Sequence, residues 1–168
     1  MIRIRGALFA LVVAASAVAL PNAAGAQYGR LVDTNRLVAL AKRACVAGAP
    51  DHQRTIPALA AREKWDEYGK KPGTPASTRA WLVSLNGQPA IVDIERSTGT
   101  SRCSVNAVSD PNAVGRAVGA AVGRAADRTA HPQGGTVRTW RATRASPLIT
   151  VSSAPGQAMT RITVAAGR

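Results

Sequence analysis

The sequence predicts an α+β fold, in which one antiparallel sheet of about five to six strands packs against helices. Apolar side chains recur at the 3.6-residue spacing of helices between residues 34 and 68. From residue 79 the spacing changes to the two-residue alternation of strands, with short turns between them. One helical segment interrupts the strands after residue 110, so the predicted order of elements is α-α-β-β-β-α-β-β-β.

Residues 1–26 have the features of a secretory signal peptide. A basic start is followed by an apolar stretch over residues 7–20 and by small residues up to Ala26. As a helix, the apolar stretch would rise about 21 Å, which is short of the roughly 30 Å hydrocarbon core of a bilayer. We therefore expect cleavage between Ala26 and Gln27, a periplasmic or secreted location, and a single α+β domain over residues 27–168 with no transmembrane segment.

Two helices are predicted ahead of the sheet. The first covers residues 34–47, because Asp33 or Thr34 can cap its first turn and apolar residues follow at helical spacing. The second covers about residues 56–68, with Pro57 in the first turn, where a missing N–H costs little.

Three short strands follow as an antiparallel meander. Asn86-Gly87 is a strong hairpin signal, because a type I′ turn needs positive φ at both central residues. Asp93 and Glu95 alternate with apolar residues, so they mark the solvent face of the second strand and are expected to pair with surface arginines. The predicted strands cover residues 79–86, 89–96 and 102–108.

Asp110-Pro111 begins the clearest helix, since Asp is a preferred cap and Pro suits the first helical position. The helix is expected to run to about Ala126. Its glycines form one stripe at i+4 spacing, at Gly115, Gly119 and Gly123. Each glycine costs about 1 kcal/mol relative to alanine inside a helix. The stripe therefore predicts close packing of this helix on the sheet, with a self-association face as the alternative.

Three further strands are predicted after the Gly134-Gly135 loop, over residues 136–143, 148–153 and 158–165. The two sets of three strands agree in order but not in sequence, so the sequence itself shows no internal repeat.

Cys45 and Cys103 are the only cysteines of the chain. An oxidising compartment and an even count predict one disulfide between them. The loop of about 59 residues that it closes would stabilise the fold by about 4 kcal/mol through loop-closure entropy. No C-x-x-C pair is present, which argues against a redox site.

The side chains that catalysis and metal binding need are scarce. His52 and His131 are the only histidines, and both fall in predicted loops, where a solvated side chain is expected. Neither has a second ligand at the spacing of a metal site. No G-x-S-x-G elbow and no strand-to-helix phosphate loop occurs. The sequence therefore predicts no catalytic residue, no metal site, no cofactor and no enzymatic activity.

Arginine dominates the charge. The formal net charge is +13, and it becomes +11 when Arg3 and Arg5 leave with the signal peptide. Residues 101–168 hold nine arginines, no lysine and two acids. An arginine-rich strand with one aromatic ring is typical of an anion-binding surface, and a merely compositional arginine excess is the alternative. The candidate residues are Arg138, Trp140, Arg141, Arg144 and Arg161, of which Arg138 and Trp140 alternate onto one strand face.

Several features together resemble a family of short uncharacterised exported (periplasmic) proteins of alphaproteobacteria. These are the signal peptide, the helix end Leu40-Ala-Lys-Arg-Ala-Cys45-Val-Ala-Gly48, Cys103 within a strand and the Asp110-Pro111 helix start. They cover about two-thirds of the chain. The resemblance implies export and the disulfide, and it transfers no catalytic residue.

The function expected from the sequence is that of a non-catalytic binding or interaction domain with an anion-binding surface. Its partner would be an anionic component of the cell envelope or an acidic protein, because an exported protein meets little nucleic acid. A small periplasmic hydrolase without a recognisable motif and a purely structural envelope protein are the alternatives.

Overall fold

Eight strands and three α-helices make up the computed structural model, which describes residues 30–68, 78–141, 143, 145–156 and 158–167. The helices are α1 (Thr34–Ala41), α2 (His52–Glu63) and α3 (Pro111–Val122), and a π-helical turn (Lys42–Val46) continues α1. The strands are β1 (Asp66–Tyr68), β2 (Thr78–Leu85), β3 (Gln88–Ser97), β4 (Thr100–Val108), β5 (Arg128–Ala130), β6 (Thr136–Trp140), β7 (Leu148–Ser153) and β8 (Met159–Gly167). The predicted signal peptide and Arg144 lie outside the described residues.

The strands form one antiparallel sheet in the order β1-β2-β3-β4-β8-β7-β6-β5. The predicted α+β class with a single antiparallel sheet is confirmed, but the sheet has eight strands instead of five to six. The two additional strands, β1 and β5, have three residues each and lie at the two edges. The centre of the sheet joins the two halves of the chain, because β4 pairs with β8, with Val105 opposite Ile162.

One face of the sheet packs against the helices and forms the core. Its side chains are aliphatic and fully buried in the central strands, for example Val92, Ile94 and Val105. The opposite face, here called the open face, carries polar side chains in the alternate register, such as Asp93, Asn106 and Arg161. No helix in the described part of the chain is long and apolar enough to cross a membrane.

The helix ends follow their capping chemistry. Asp33 accepts from the Arg36 amide at 3.0 Å, and Asp110 accepts from the Asn112 amide at 2.8 Å, so both predicted caps are confirmed. The predicted second helix needs correction, because α2 begins at His52 and ends at Glu63. Lys64 takes a left-handed conformation with φ 57°, and this turn directs residues 66–68 into β1 instead of a further helical turn.

The predicted disulfide between Cys45 and Cys103 is confirmed. It links the π-helical turn to the centre of β4, with both residues fully buried and a Cα–Cα distance of 5.3 Å. The two cysteines are 58 residues apart in the sequence, so the bond closes a long loop between the π-helical turn and β4. Because Cys103 sits on a central strand, the bond holds α1 and its continuation against the core.

Two copies of one α-β-β-β-β unit make up most of the chain, which extends the agreement in strand order that the sequence shows between its two halves. The first copy is α2 with β1–β4, and the second is α3 with β5–β8. α3 begins and ends 59 residues after α2, at Pro111 and Val122 against His52 and Glu63. The two sheets of four strands join antiparallel along their last strands, β4 and β8, which relates the copies by an approximate two-fold axis.

An Arg-x-Trp motif occupies the same place in both copies. Arg79 and Trp81 lie on β2, the second strand of the first copy, and Arg138 and Trp140 lie on β6, the second strand of the second copy. The cross-strand registers also agree. Trp81 is in register, across one residue of β3, with Val105 of β4. In the same way, Trp140 is in register, across one residue of β7, with Val164 of β8.

Candidate functional site

An open groove of about 570 Å³ lies between α3 and the edge of the sheet at β5 and β6. One wall is the glycine stripe of α3, and the other is formed by the Arg-x-Trp motif of β6 and by Thr129. This α3–β6 groove is lined by Gly115, Arg116, Gly119, Ala120, Gly123, Arg124, Ala125, Ala126, Thr129, Arg138 and Trp140. Its volume is within the range of small-molecule sites in proteins.

The first glycine of the stripe allows the Arg138 side chain to lie against α3. A Cβ at Gly115 would overlap the Arg138 guanidinium and would come within 3.1 Å of its Cδ. From this position Arg138 donates through Nη2 to Asn112 Oδ1 at 2.8 Å and through Nη1 to the Pro111 carbonyl at 3.3 Å. The predicted close packing on the sheet is thus observed at Gly115, with an arginine as its partner, but not at Gly123, where a Cβ would meet nothing within 4 Å.

The indole N–H of Trp140 is a buried donor on the groove wall. Trp140 is 1% exposed, and no acceptor among the described residues hydrogen-bonds to its Nε1. A Cβ at Gly119 would lie 3.8 Å from Nε1, so the missing side chain of this glycine leaves space beside the donor. An unpaired buried donor costs about 1–3 kcal/mol, which an acceptor entering the groove would recover.

The charge of the groove is positive. Its lining contains three arginines and no carboxylate among the described residues: Arg116, Arg124 and Arg138. The nearest acid, Asp127, is occupied, because it accepts from the Arg141 amide at 2.6 Å and forms an ion pair with Arg124. These two donors hold the pKa of Asp127 below its ordinary value, so it stays ionised and bound to them. Arg138 keeps its charge without an acidic partner in the described structure.

The predicted anion-binding residues do not converge on one surface. Arg138 and Trp140 lie together on the helical side of β6, as their alternation indicates. Arg161 is on the open face of the sheet, where it pairs with Asp93 at 3.3 Å. Arg141 takes part through its main chain, which binds Asp127 and accepts from Arg124 at 2.6 Å. Arg144 is not among the described residues.

Sequence reasoning missed two of the groove's cations, Arg116 and Arg124, which belong to α3 and to the turn after it. The signal that could have found them is the glycine stripe, because Arg116 and Arg124 each directly follow one of its glycines in the sequence. The second signal is the repeated Arg-x-Trp motif, whose second copy faces this stripe.

The expectation of a solvated His52 is wrong. His52 is fully buried at the start of α2, with Nδ1 3.0 Å from Ser101 Oγ and Nε2 2.8 Å from the Cys45 carbonyl. Burial lowers the pKa of His52 below 6.5. The ring is therefore neutral, and both of its nitrogens are hydrogen-bonded within the core. His131 is exposed, as expected.

The acids of the open face pair with arginines, as the sequence predicts. Asp93 lies 3.3 Å from Arg161, and Glu95 lies 3.9 Å from Arg102. Within the described ranges, no group of three or more histidine, cysteine or acidic side chains is placed to hold a metal ion. The chemistry that the structure does offer is hydrogen-bond donation and positive charge in the α3–β6 groove.

Comparison of the chain with protein-family models, with curated proteins and with solved structures found no match.

Proposed function

We propose that the protein is an exported, non-catalytic binding domain that takes an anionic ligand in the α3–β6 groove. The observation that supports this most directly is that Trp140, a residue of the groove lining, carries a buried indole N–H with no acceptor in the described structure. A donor in this situation is stabilised by a ligand that supplies an acceptor atom. Arg138 lies on the same strand face and supplies the charge that selects an anion.

The electrostatics of the whole chain favour the same ligand class. The formal net charge of +13, which becomes +11 without the predicted signal peptide, attracts anions over the range of the Debye length, about 8–10 Å at physiological ionic strength. Arg116 is exposed on the groove and forms no ion pair in the described part of the chain. Anionic components of the cell envelope and acidic proteins present the acceptors that this site needs, whereas nucleic acid is a poor candidate outside the cytoplasm.

The proposal of a non-catalytic role rests on the donor set. Arginine guanidinium and indole groups bind and orient, but they do not exchange protons near neutral pH. The one strongly buried base of the described structure, His52, contacts Ser101 and the Cys45 carbonyl and is not part of the groove lining.

The experiment is an NMR titration of the mature protein, uniformly labelled with ¹⁵N, at constant ionic strength. The three tryptophans give three indole signals, and Trp140→Phe identifies the signal of Trp140. Sodium phosphate, sulfate, acetate and hexanoate are added separately. We expect at least one anion to move the Trp140 signal downfield in a saturable way, because a new acceptor binds the indole proton.

Arg138→Gln should weaken that saturation, and Arg161→Gln is the matched control. Both variants lose one positive charge, but Arg161 lies on the open face with Asp93. Equal effects of the two substitutions, or no saturable shift with any of the anions, would contradict the proposed function.

A further inference from the structure

The first copy of the repeated unit shows which group an Arg-x-Trp motif binds in this fold. In the first copy, Arg79 donates through Nε to Glu67 Oε1 at 2.9 Å, and its guanidinium lies 4.9 Å from the centre of the Trp81 ring. Glu67 stands directly opposite Trp81 in the pairing of β1 with β2. The Arg-x-Trp motif of this copy therefore holds a carboxylate.

In the second copy the equivalent carboxylate is missing from the motif. The corresponding edge of the sheet does carry an acid, Asp127, but this acid binds Arg124 and the Arg141 amide. Arg138 uses Nη1 and Nη2 for neutral acceptors, the Pro111 carbonyl and the Asn112 side chain. None of the described residues accepts from its Nε, the atom that binds Glu67 in the first copy.

The helices differ in the same sense. At the positions of α2 that correspond to the first two glycines of α3, the chain has Ile56 and Ala60, which are 0% and 2% exposed. Their side chains fill the space between α2 and its strands. In the second copy the Arg138 side chain lies in the space over Gly115, and the space beside Gly119 forms part of the α3–β6 groove. The first copy is thus closed, with its arginine paired with a carboxylate. The second copy is open, and neither its arginine nor its indole N–H has a carboxylate partner among the described residues.

Resting on the proposed function, we propose that the ligand of the groove is a small organic carboxylate. Its carboxylate takes the place beside Arg138 that Glu67 takes beside Arg79, and it accepts from the Arg138 Nε–H and the Trp140 Nε1–H. A planar carboxylate matches the fork of a guanidinium. The remainder of the groove is lined mostly by glycine and alanine, so a slender apolar body fits along α3.

The test compares an unbranched series, acetate, butyrate and hexanoate, with sodium phosphate and sulfate at matched ionic strength. The Trp140 indole signal and isothermal calorimetry are the two readouts. We expect saturable binding of the carboxylates that tightens from acetate to hexanoate, because each added methylene buries more apolar surface. Phosphate and sulfate should bind more weakly than hexanoate.

Two pairs of variants locate the binding. Arg138→Gln should weaken hexanoate binding about ten-fold or more, because a charge-assisted hydrogen bond is lost. Arg79→Gln, the same change in the closed copy, should leave it unchanged. Gly119→Ala gives α3 the residue that α2 has as Ala60, and its methyl group would lie 3.8 Å from Trp140 Nε1. The methyl group would also lie 3.2 Å from the Arg124 carbonyl, so thermal unfolding is measured alongside binding. We expect this variant to lose hexanoate binding while it stays folded, since alanine favours the helix.

The outcomes separate the two proposals. Saturable binding of phosphate or sulfate without binding of the carboxylates would overturn the carboxylate assignment and leave the anion-binding function in place. Binding of poly-glutamate with no binding of the small carboxylates would overturn the small-molecule ligand in favour of an acidic protein. If Arg79→Gln weakened hexanoate as much as Arg138→Gln, the assignment to the open copy would be wrong.

Discussion

Mild acid should destabilise the folded protein through a single side chain, His52. The ring is fully buried between the Cys45 carbonyl and Ser101 Oγ, at 2.8 and 3.0 Å. In the neutral ring, Nε2–H donates to the carbonyl and the Ser101 hydroxyl donates to Nδ1. Protonation would place a second N–H and a charge in this dry site, and burial accordingly lowers the pKa of His52 below 6.5.

The sign and size of the effect follow from proton linkage. The unfolded chain binds a proton at His52 near pH 6.5, whereas the folded chain does so only at a lower pH. As the pH falls from 6.5 towards the folded pKa, the unfolded state holds up to one more proton than the folded state. The free energy of unfolding should therefore fall by up to about 1.4 kcal/mol per pH unit, and this contribution becomes constant below the folded pKa.

Urea unfolding at pH 7.5, 6.5, 5.5 and 5.0 measures this slope in the wild type and in His52→Gln. Carboxylates ordinarily titrate near pH 4, and the lowered pKa of Asp127 moves its titration further below this window. We expect a falling free energy of unfolding in the wild type and a flat one in the variant. A second readout, the imidazole proton resonance of His52 in the wild type, needs no substitution. Parallel slopes in the two proteins, or a His52 resonance that titrates at or above pH 6.5, would refute the reasoning.

Three further predictions concern stability. Replacing Cys45 and Cys103 together by alanine should lower the free energy of unfolding by about 2–5 kcal/mol in urea denaturation, and an unchanged midpoint would contradict a stabilising disulfide. Asp110→Ala should cost about 1 kcal/mol in the same assay through the lost cap of α3; Asp51→Ala, whose side chain makes no capping bond in the described structure, should cost less, and the reverse order would count against the capping assignment. A double-mutant cycle on Asp93 and Arg161 should give a coupling of about 1 kcal/mol or less, because half of the Arg161 side chain is exposed; a value above about 2 kcal/mol would show that the pair belongs to a larger network.

The elements that the sequence predicts best are those that begin or end at a strong turn or capping signal. Asn86-Gly87 fixed the β2–β3 hairpin, and Asp110-Pro111 fixed the start of α3, because the deciding interactions lie within four residues of each other. The edge strands β1 and β5 escaped prediction for the opposite reason. Each has three residues, no alternation of buried and exposed side chains and a single neighbouring strand, so only tertiary pairing defines it.

The site was only half predictable for a related reason. Alternation placed Arg138 and Trp140 on one face of β6, since both belong to one strand. It could not relate their face to that of Arg161, because the relative faces of two strands depend on register, and β7 lies between β6 and β8. The repeat is not predictable from the sequence, because the side chains that face the sheet differ between the copies, which share only the Arg-x-Trp motif and the lengths of their helices.

The three glycines of α3 do not have the same explanation. Gly123 ends the helix with φ 76°, as Lys64 ends α2 with φ 57°, and Gly115 is required by the Arg138 side chain that lies on it.

Gly119 differs from both, because a Cβ there would meet the Arg124 carbonyl at 3.2 Å, so an alanine requires this backbone to move by a few tenths of an ångström. The corresponding residue of the closed copy is Ala60, so this unit accepts alanine at that place. A glycine in a helix interior costs about 1 kcal/mol relative to alanine, and what it leaves here is space beside the buried Trp140 N–H. Residues that lower stability in this way concentrate at functional sites. Gly119→Ala therefore separates the two explanations: a role in packing alone predicts unchanged ligand binding, whereas a role in the site predicts that binding is lost.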